Sequence, residues 1–197
     1  RDLIINNNEL GDVSNLKTVT TGLTLKDVSG LNLSLNRFIN LYSDDYDVIG
    51  LKIIGSSPDD MRLNIINNTF NSLSSNKGDV IGILLDNAHG VSILHNTVYI
   101  YRNSIGNTLL GYLNSSVLYE STPSSSINLC NNVFYNSLDG GKVDAIFYTN
   151  NTNLSNPFKE LRGNVYYSFK SFAANSSLGT LNFGEWKSYL NALGLPD

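Results

Sequence analysis

Hydrophobic residues in this chain alternate with polar ones in short runs, and each run leads to an asparagine. These asparagines recur at intervals of about 28 to 36 residues, the range of solenoid repeats. They are Asn8, Asn36, Asn68, Asn96, Asn132 and Asn164, called the anchor asparagines below. Three residues before each anchor stands an aliphatic residue, from Ile5 and Leu33 to Leu161. A period of two predicts β-strands.

The hydrophobic pattern resumes after each anchor, which predicts a bend between two strands. The residues two positions on are Leu10, Phe38, Phe70, Val98, Phe134 and Tyr166. Asparagine tolerates the left-handed backbone conformation of a sharp turn, so we expect the anchors to adopt it. The amide can also donate to and accept from the equivalent amide one coil away. The anchors are therefore predicted to form a ladder of hydrogen bonds.

A third run lies between successive anchors and usually begins with glycine. Its members are Gly22-Leu23-Thr24-Leu25, Gly50-Leu51-Lys52-Ile53, Gly82-Ile83-Leu84-Leu85, a weaker copy near Gly111, and Ala145-Ile146-Phe147-Tyr148. Three short strands per coil, stacked in register, predict an all-β fold, a three-sheet parallel β-helix solenoid with asparagine-containing turns. The alignment places Thr24, Lys52, Leu84 and Phe147 on the outer face of this third sheet.

The C-terminal residues follow a helical pattern instead. Asn182 and Glu185 have the spacing of a capping box. One helical face would carry Phe183, Trp186, Leu190 and Leu193, and Gly194 and Pro196 would end the helix. We predict a helix over about 183–193 that docks on the side or the end of the solenoid, where exposed core and strand edges need cover. This divides the chain into coils at 1–170 and a C-terminal extension at 171–197.

Composition narrows the classes of function. Charged residues make up 15% of the chain and hydrophobic residues 41%, with a net charge of −4. The hydrophobic share excludes a disordered chain, and the acidic balance argues against a nucleic-acid partner. No apolar run reaches the roughly 20 residues of a membrane span. Cys130 is the single cysteine, so no internal disulfide can form.

Over residues 3–170 the repeat resembles the right-handed parallel β-helix repeat of the pectate-lyase-like superfamily. That fold hosts lyases, hydrolases, adhesins and phage tailspikes, so the resemblance implies a fold rather than an activity. The stretch from Asn164-Val165-Tyr166-Tyr167 to Trp186 and Gly194 is similar to the exit of β-helix regions in large exported Bacteroidetes surface proteins. This similarity implies a secreted or cell-surface location and a larger parent chain.

Two functions are compatible with this resemblance. Enzymes of the superfamily place aspartates on an outer face, to hold calcium or to act as a carboxylate pair. The predicted outer faces carry no such cluster, which favours a structural or adhesive segment that binds a polysaccharide or a cell-surface protein. The alternative is a fragment of a polysaccharide lyase or glycoside hydrolase.

One outer column is aromatic. Tyr99, Tyr135 and Tyr167 occupy the same outward position on three successive coils. Aromatic side chains provide contact area, and the hydroxyl adds a hydrogen bond, so this column is a candidate ligand-binding strip. The alternative is that the rings only stack on one another or lie under another part of the chain.

Asp47 and Asp79 begin two copies of the sequence Asp-Val-Ile-Gly one coil apart. Equivalent positions on adjacent coils are about 4.8 Å apart. Two carboxylates that close would repel each other unless a cation bridged them, and calcium accepts such oxygen ligands. Asp44 and Asp45 lie close enough in sequence to contribute. The alternative is a pair of solvated carboxylates that point apart. His89 and His95 have no ligand partner at metal-binding spacing and are predicted to be turn residues.

Overall fold

The computed structural model describes residues 3–15, 17–55, 62–101, 114–122, 124–138, 143–149, 158–175, 179–192 and 194. Its strands in chain order are β1 (Leu3–Asn6), β2 (Glu9–Asn15), β3 (Thr20–Lys26), β4 (Leu31–Ser34), β5 (Arg37–Ser43), β6 (Val48–Ile54), β7 (Leu63–Ile66), β8 (Thr69–Ser75), β9 (Val80–Asp86), β10 (Val91–Leu94), β11 (Thr97–Ile100), β12 (Asn114–Thr122), β13 (Ile127–Cys130), β14 (Val133–Asn136), β15 (Val143–Thr149), β16 (Phe158–Arg162), β17 (Val165–Ser168), β18 (Ala173–Asn175) and β19 (Gly179–Leu181).

These strands form three sheets, and each coil adds one strand to each of them. Sheet A has the order β1-β4-β7-β10-β13-β16, and sheet B has the order β2-β5-β8-β11-β14-β17. Sheet C has the order β3-β6-β9-β12-β15-β18-β19, and only its β18–β19 pair is antiparallel among the described pairs. The prediction of an all-β parallel β-helix is therefore confirmed.

The core lies between the three sheets and is built from columns of register-equivalent residues. In sheet A, Leu33, Ile65 and Ile93 follow one another in register, and each is 0% exposed. In sheet B, the rings of Phe38 and Phe70 stack with centroids 4.5 Å apart. Each such buried side chain contributes roughly 1.5–3 kcal/mol relative to an exposed one. Each coil packs only against the coils on either side of it, so this stabilisation is distributed along the whole stack.

The left-handed residue at the bend between sheets A and B is not the anchor, as predicted, but the residue before it. Positive φ angles are found at Asn7, Leu35, Asn67, His95, Asn131 and Gly163, whereas no anchor has one. The preceding residue makes the turn. This frees the backbone N–H and the side chain of the anchor to hydrogen-bond along the stack.

The alignment of Phe147 with Leu84 was also wrong. Leu118 of β12 pairs with Ile83 on one side and with Phe147 on the other, so Phe147 faces inward and is 5% exposed. Tyr148 takes the outward position instead, in register with Tyr119 and, one coil further, Leu84. In this coil Ile146 stands at the position that Gly82 occupies in an earlier coil, whereas the sequence alignment had placed Ala145 there. A large aromatic ring thus enters the core near its C-terminal end.

Helix α1 (Phe183–Ala192) packs against that end of the core. Its predicted capping box is confirmed, since Asn182 Oδ1 accepts from the Glu185 N–H at 3.0 Å and Glu185 Oε2 accepts from the Asn182 N–H at 2.8 Å. Trp186 stacks on Phe147 with centroids 5.4 Å apart. Before the helix, β18 extends sheet C by pairing with β15. Leu193 and Pro196 lie outside the described residues, and the boundary at residue 170 stays a prediction.

Candidate functional site

The predicted tyrosine column lies on the outer face of sheet B, where the parallel register places Tyr99, Tyr135 and Tyr167 side by side. The centroids of Tyr99 and Tyr135 are 4.2 Å apart at an interplanar angle of 17°. Those of Tyr135 and Tyr167 are 4.5 Å apart at 9°. These distances follow the strand spacing of about 4.8 Å, so the backbone register itself stacks the rings. We call these three residues the tyrosine ladder.

Stacking determines which part of each ring a ligand can reach. Tyr135 has a ring on both faces and offers only its edge and its hydroxyl group. Tyr167 is 46% exposed, and β17 is the last strand of sheet B, so the far face of its ring is not stacked by a described ring. A hydrogen bond with Tyr135, together with burial, raises the pKa of Tyr99 above its ordinary value. The tyrosine ladder is therefore a row of hydroxyl groups with one open ring face at its end.

The same outward column continues toward the N terminus with Asn71, which pairs with Tyr99. Beside it, the hydroxyl groups of Ser72 and Tyr101 are 2.9 Å apart, and the Tyr101 ring lies 4.9 Å from that of Tyr99. Asn71 Oδ1 is buried and accepts no hydrogen bond from the described residues. Tyr101 extends the aromatic surface sideways, a contribution that the column pattern did not predict because Tyr101 lies beyond the end of β11.

The carboxylate of Asp47 is engaged with the backbone of the next coil. Its Oδ1 accepts a hydrogen bond from the Asp79 N–H at 2.8 Å. The stack thus accommodates Asp47 beside Asp79 by pairing one carboxylate oxygen with a backbone donor, which needs no cation. Calcium binding at Asp47 and Asp79 stays a prediction.

Asp44 and Asp45, the two nearby carboxylates, contact side chains of their own. The Tyr42 hydroxyl donates to Asp44, and Asn76 Nδ2 donates to the same oxygen at 2.9 Å. Asp45 pairs with Lys77 at 2.5 Å. The bond to Asp44, with burial, raises the pKa of Tyr42 to about 12. Among the described residues, no group of three or more His, Cys, Asp or Glu side chains is placed to hold a metal ion.

A polar groove of about 500 Å³ lies on the outer face of sheet A, and sequence reasoning missed it. Its lining includes Arg62, Asn64, His89, Ser92, Asn128 and Lys159. Asn64, Ser92 and Asn128 are register-equivalent and each stands four residues before an anchor. That polar column was visible in the sequence. The approach of Arg62 and Lys159 was not, because they belong to coils 97 residues apart in the chain.

His89 forms one wall of this groove. Its Nδ1 lies 2.6 Å from Ser125 Oγ, and its Nε2 lies 3.1 Å from Asn87 Oδ1. Both ring nitrogens are therefore occupied within the protein, and His89 acts as a structural residue between two coils. It lies outside the named strands and forms an isolated parallel β-bridge with Ser125.

In the part of the chain that the structure describes, no helix is long and apolar enough to cross a membrane. Comparisons with known proteins do not place the chain in a family. No protein-family model matches it, and neither a curated protein nor a solved structure does. Function is therefore inferred from the geometry of the described residues.

Proposed function

We propose that this chain is a structural and adhesive β-helix segment of an exported bacterial surface protein, and that it binds polysaccharide through the tyrosine ladder. The observation that carries the proposal is the stacking of Tyr99, Tyr135 and Tyr167 on an outer face. Stacked rings are already ordered before a ligand arrives, so binding loses little side-chain entropy. The resemblance of the repeat to the pectate-lyase-like superfamily supports the assignment to exported solenoids.

The geometry of the ladder suggests two kinds of contact with a glycan. The hydroxyl groups repeat with the coil spacing of about 4.8 Å and can exchange hydrogen bonds with sugar hydroxyls along a chain lying parallel to the solenoid axis. The open face of Tyr167 can pack against the C–H face of one sugar ring. The row of hydroxyl groups would orient the glycan chain along the solenoid axis, and Tyr167 would provide one apolar contact with a sugar ring.

A glycan-array screen of the purified chain, with and without calcium, tests this proposal. We expect a specific neutral or acidic glycan whose affinity falls about tenfold or more in the Tyr99→Phe/Tyr135→Phe/Tyr167→Phe variant. This variant keeps the stacked rings and removes only the hydroxyl groups. Tyr167→Ala separates the ring-face contact from the hydroxyl contacts.

The matched control is Tyr148→Phe, which removes an outward hydroxyl group from sheet C. Binding unchanged in both ladder variants would overturn the role of the tyrosines. A glycan that is shortened during the assay, with release of unsaturated uronates, would instead support the alternative function of a polysaccharide lyase.

A further inference from the structure

We propose that the glycan bound by the tyrosine ladder is a neutral one whose sugars carry methyl groups, as 6-deoxy sugars and acetylated sugars do, and that Val133 and Val165 recognise these methyl groups. This inference rests on the proposed function and names the class of glycan. The two valines lie on the outer face of sheet B and are 42% and 61% exposed. We call them the valine pair.

The valine pair lies beside the tyrosine ladder. Val133 pairs with Val165 in the parallel register of β14 and β17, as Tyr135 does with Tyr167. Each valine stands two residues before a tyrosine, so the two columns share one face of the sheet and lie about 7 Å apart. A sugar unit that contacts a tyrosine hydroxyl group can therefore reach the neighbouring valine.

The column that contains the valine pair is polar toward its other end. In register order it reads Glu9, Arg37, Thr69, Thr97, Val133 and Val165. Glu9 and Arg37 form an ion pair at 2.6 Å. The column is apolar only in the two coils that provide Tyr135 and Tyr167. Outward positions of a sheet that faces water are ordinarily polar, and exposed apolar side chains grouped on one face are typical of a binding surface.

Phe169 extends this apolar surface on the other side of Tyr167. It is 62% exposed, and its N–H donates to the Asn136 carbonyl at 3.1 Å, so the register with β14 continues past the end of β17. Val165, Tyr167 and Phe169 thus occupy alternate positions of the last coil. The coil offers apolar contact on both sides of a hydroxyl group, and a sugar with a methyl group beside its hydroxyl groups matches this alternation.

The surface around the valine pair is uncharged. Among the described residues, the outward positions of β11, β14 and β17 hold only threonine, valine and tyrosine. Lys170, the cation next to Phe169 in the chain, lies 3.6 Å from the buried carboxylate of Asp144. A carboxylate or sulfate group of a glycan would lose hydration on this surface without gaining a counter-ion. The surface therefore favours a neutral glycan.

An exposed apolar patch can also receive a protein. The valine pair favours a sugar instead, because its apolar side chains alternate with hydroxyl groups and span two coils, whereas a stable protein interface takes roughly 20 residues a side. A sugar methyl group can pack against the valines. A hydroxyl group in its place would be left without a hydrogen-bonding partner there, which weakens binding.

The test is a calorimetric titration of the full chain with two matched pairs of oligosaccharides. The members of the first pair end in L-fucose or in L-galactose, which differ only by a hydroxyl group on the C6 methyl carbon. The second pair is an O-acetylated oligosaccharide and the same molecule after removal of its acetyl groups. A uronic-acid oligosaccharide is the charged probe.

The decisive variant is Val133→Thr/Val165→Thr, which keeps two β-branched side chains and replaces one methyl group of each by a hydroxyl group. Both positions are exposed strand positions, so the fold should be retained. The matched control is Ile4→Thr, since Ile4 is a β-branched residue that is 64% exposed on sheet A.

We expect the natural chain to bind the methyl-bearing member of at least one pair about fourfold more tightly than its counterpart, the difference that burial of one methyl group makes. The double valine variant should bind both members alike, and Ile4→Thr should keep the preference. The pair that shows the preference identifies the methyl group as that of a deoxy sugar or of an acetyl group.

Equal affinity within both pairs, tighter binding of the uronic-acid oligosaccharide, or a preference that survives in the double valine variant would overturn the inference. The proposed function would still stand if binding fell in the tyrosine-ladder variants, whereas failure of every glycan to bind would overturn both. Sedimentation provides the last check, because a dimer that dissociates in the double valine variant would show that the valines join two copies of the chain instead.

Discussion

Asn68 donates two hydrogen bonds to one oxygen atom of Asn96, from its backbone nitrogen at 2.8 Å and from its Nδ2 at 3.0 Å. The same pair of bonds links each anchor asparagine to the next, from Asn8 to Asn164. Each interior amide also donates to a carbonyl of the preceding coil, as Asn96 does to Ile65 at 2.7 Å. This ladder of anchor asparagines satisfies the buried polar groups at the bend and holds the coils in register.

We predict that Asn96→Ala lowers the free energy of unfolding by about 3 kcal/mol, because it leaves the buried donors of Asn68 without an acceptor. The measurement is chemical denaturation followed by circular dichroism. Asn32→Ala is the control, since Asn32 is an exposed residue on strand β4 of the same sheet A. If the two variants lost equal stability, the hydrogen bonds between the anchor asparagines would contribute no more to stability than an exposed asparagine does.

Leu35 provides a test of backbone strain. It has a φ of 59° and is 58% exposed, while the equivalent positions of other coils hold asparagine, histidine or glycine. We expect Leu35→Asn to raise the free energy of unfolding by about 1 kcal/mol, because asparagine tolerates the left-handed conformation better. Thermal unfolding would measure the gain. Val133→Asn, at an exposed strand position, should give none, and a similar gain there would point to reduced surface hydrophobicity instead.

Tyr42 should make stability dependent on alkaline pH. Its pKa is raised from 10.0 to about 12 by the hydrogen bond to Asp44 and by burial, so the folded state favours the neutral phenol. The resulting stabilisation is complete below pH 10.0 and is lost as the pH rises through about 12. The stability difference between the natural chain and Tyr42→Phe should therefore shrink over this range. Denaturant unfolding at stepped pH would show it, and Tyr148→Phe should retain the dependence of the natural chain.

Trp186 should stabilise the C-terminal end of the solenoid. It is 9% exposed and stacks on Phe147, the aromatic residue that enters the core there. We expect Trp186→Ala to cost about 3 kcal/mol and to increase aggregation, since it opens the end of the core. The readouts are melting temperature and light scattering. The exposed helical substitution Asn191→Ala should change neither, and an unaffected melting temperature in Trp186→Ala would show that the helix does not cap the fold.

The columns of aliphatic residues and anchor asparagines were sufficient to predict that the coils stack in register. Residues such as Ile65 and Ile93 fall in register because a strand places every second side chain on one face, and a repeat brings the same position to the same place in each coil. The capping box at Asn182 and Glu185 was predictable for a similar reason, since its two hydrogen bonds join residues three apart in the sequence. The tyrosine column followed from the same register.

One error arose where the repeat is irregular. Phe147 was aligned by residue type with Leu84. In the hydrogen-bonded register Phe147 pairs with Leu118, whereas Leu84 pairs with the next residue, Tyr119. A shift of one residue exchanges the two faces of a strand, so a small alignment error moved a core residue to the surface. The left-handed position was misjudged because two adjacent residues at the bend were both asparagine in several coils.

The sequence by itself determined the solenoid, its three strands per coil, the asparagine ladder, the outward tyrosine column and the C-terminal helix, because each depends on local periodicity repeated along the chain. Only the tertiary structure decided that the tyrosine rings lie face to face, that Asp47 caps a backbone N–H of the next coil, and that Arg62 and Lys159 line one groove. Those relationships depend on side-chain orientation and on the approach of residues from different coils. A periodic pattern specifies which positions stack, but packing determines what the stacked side chains contact.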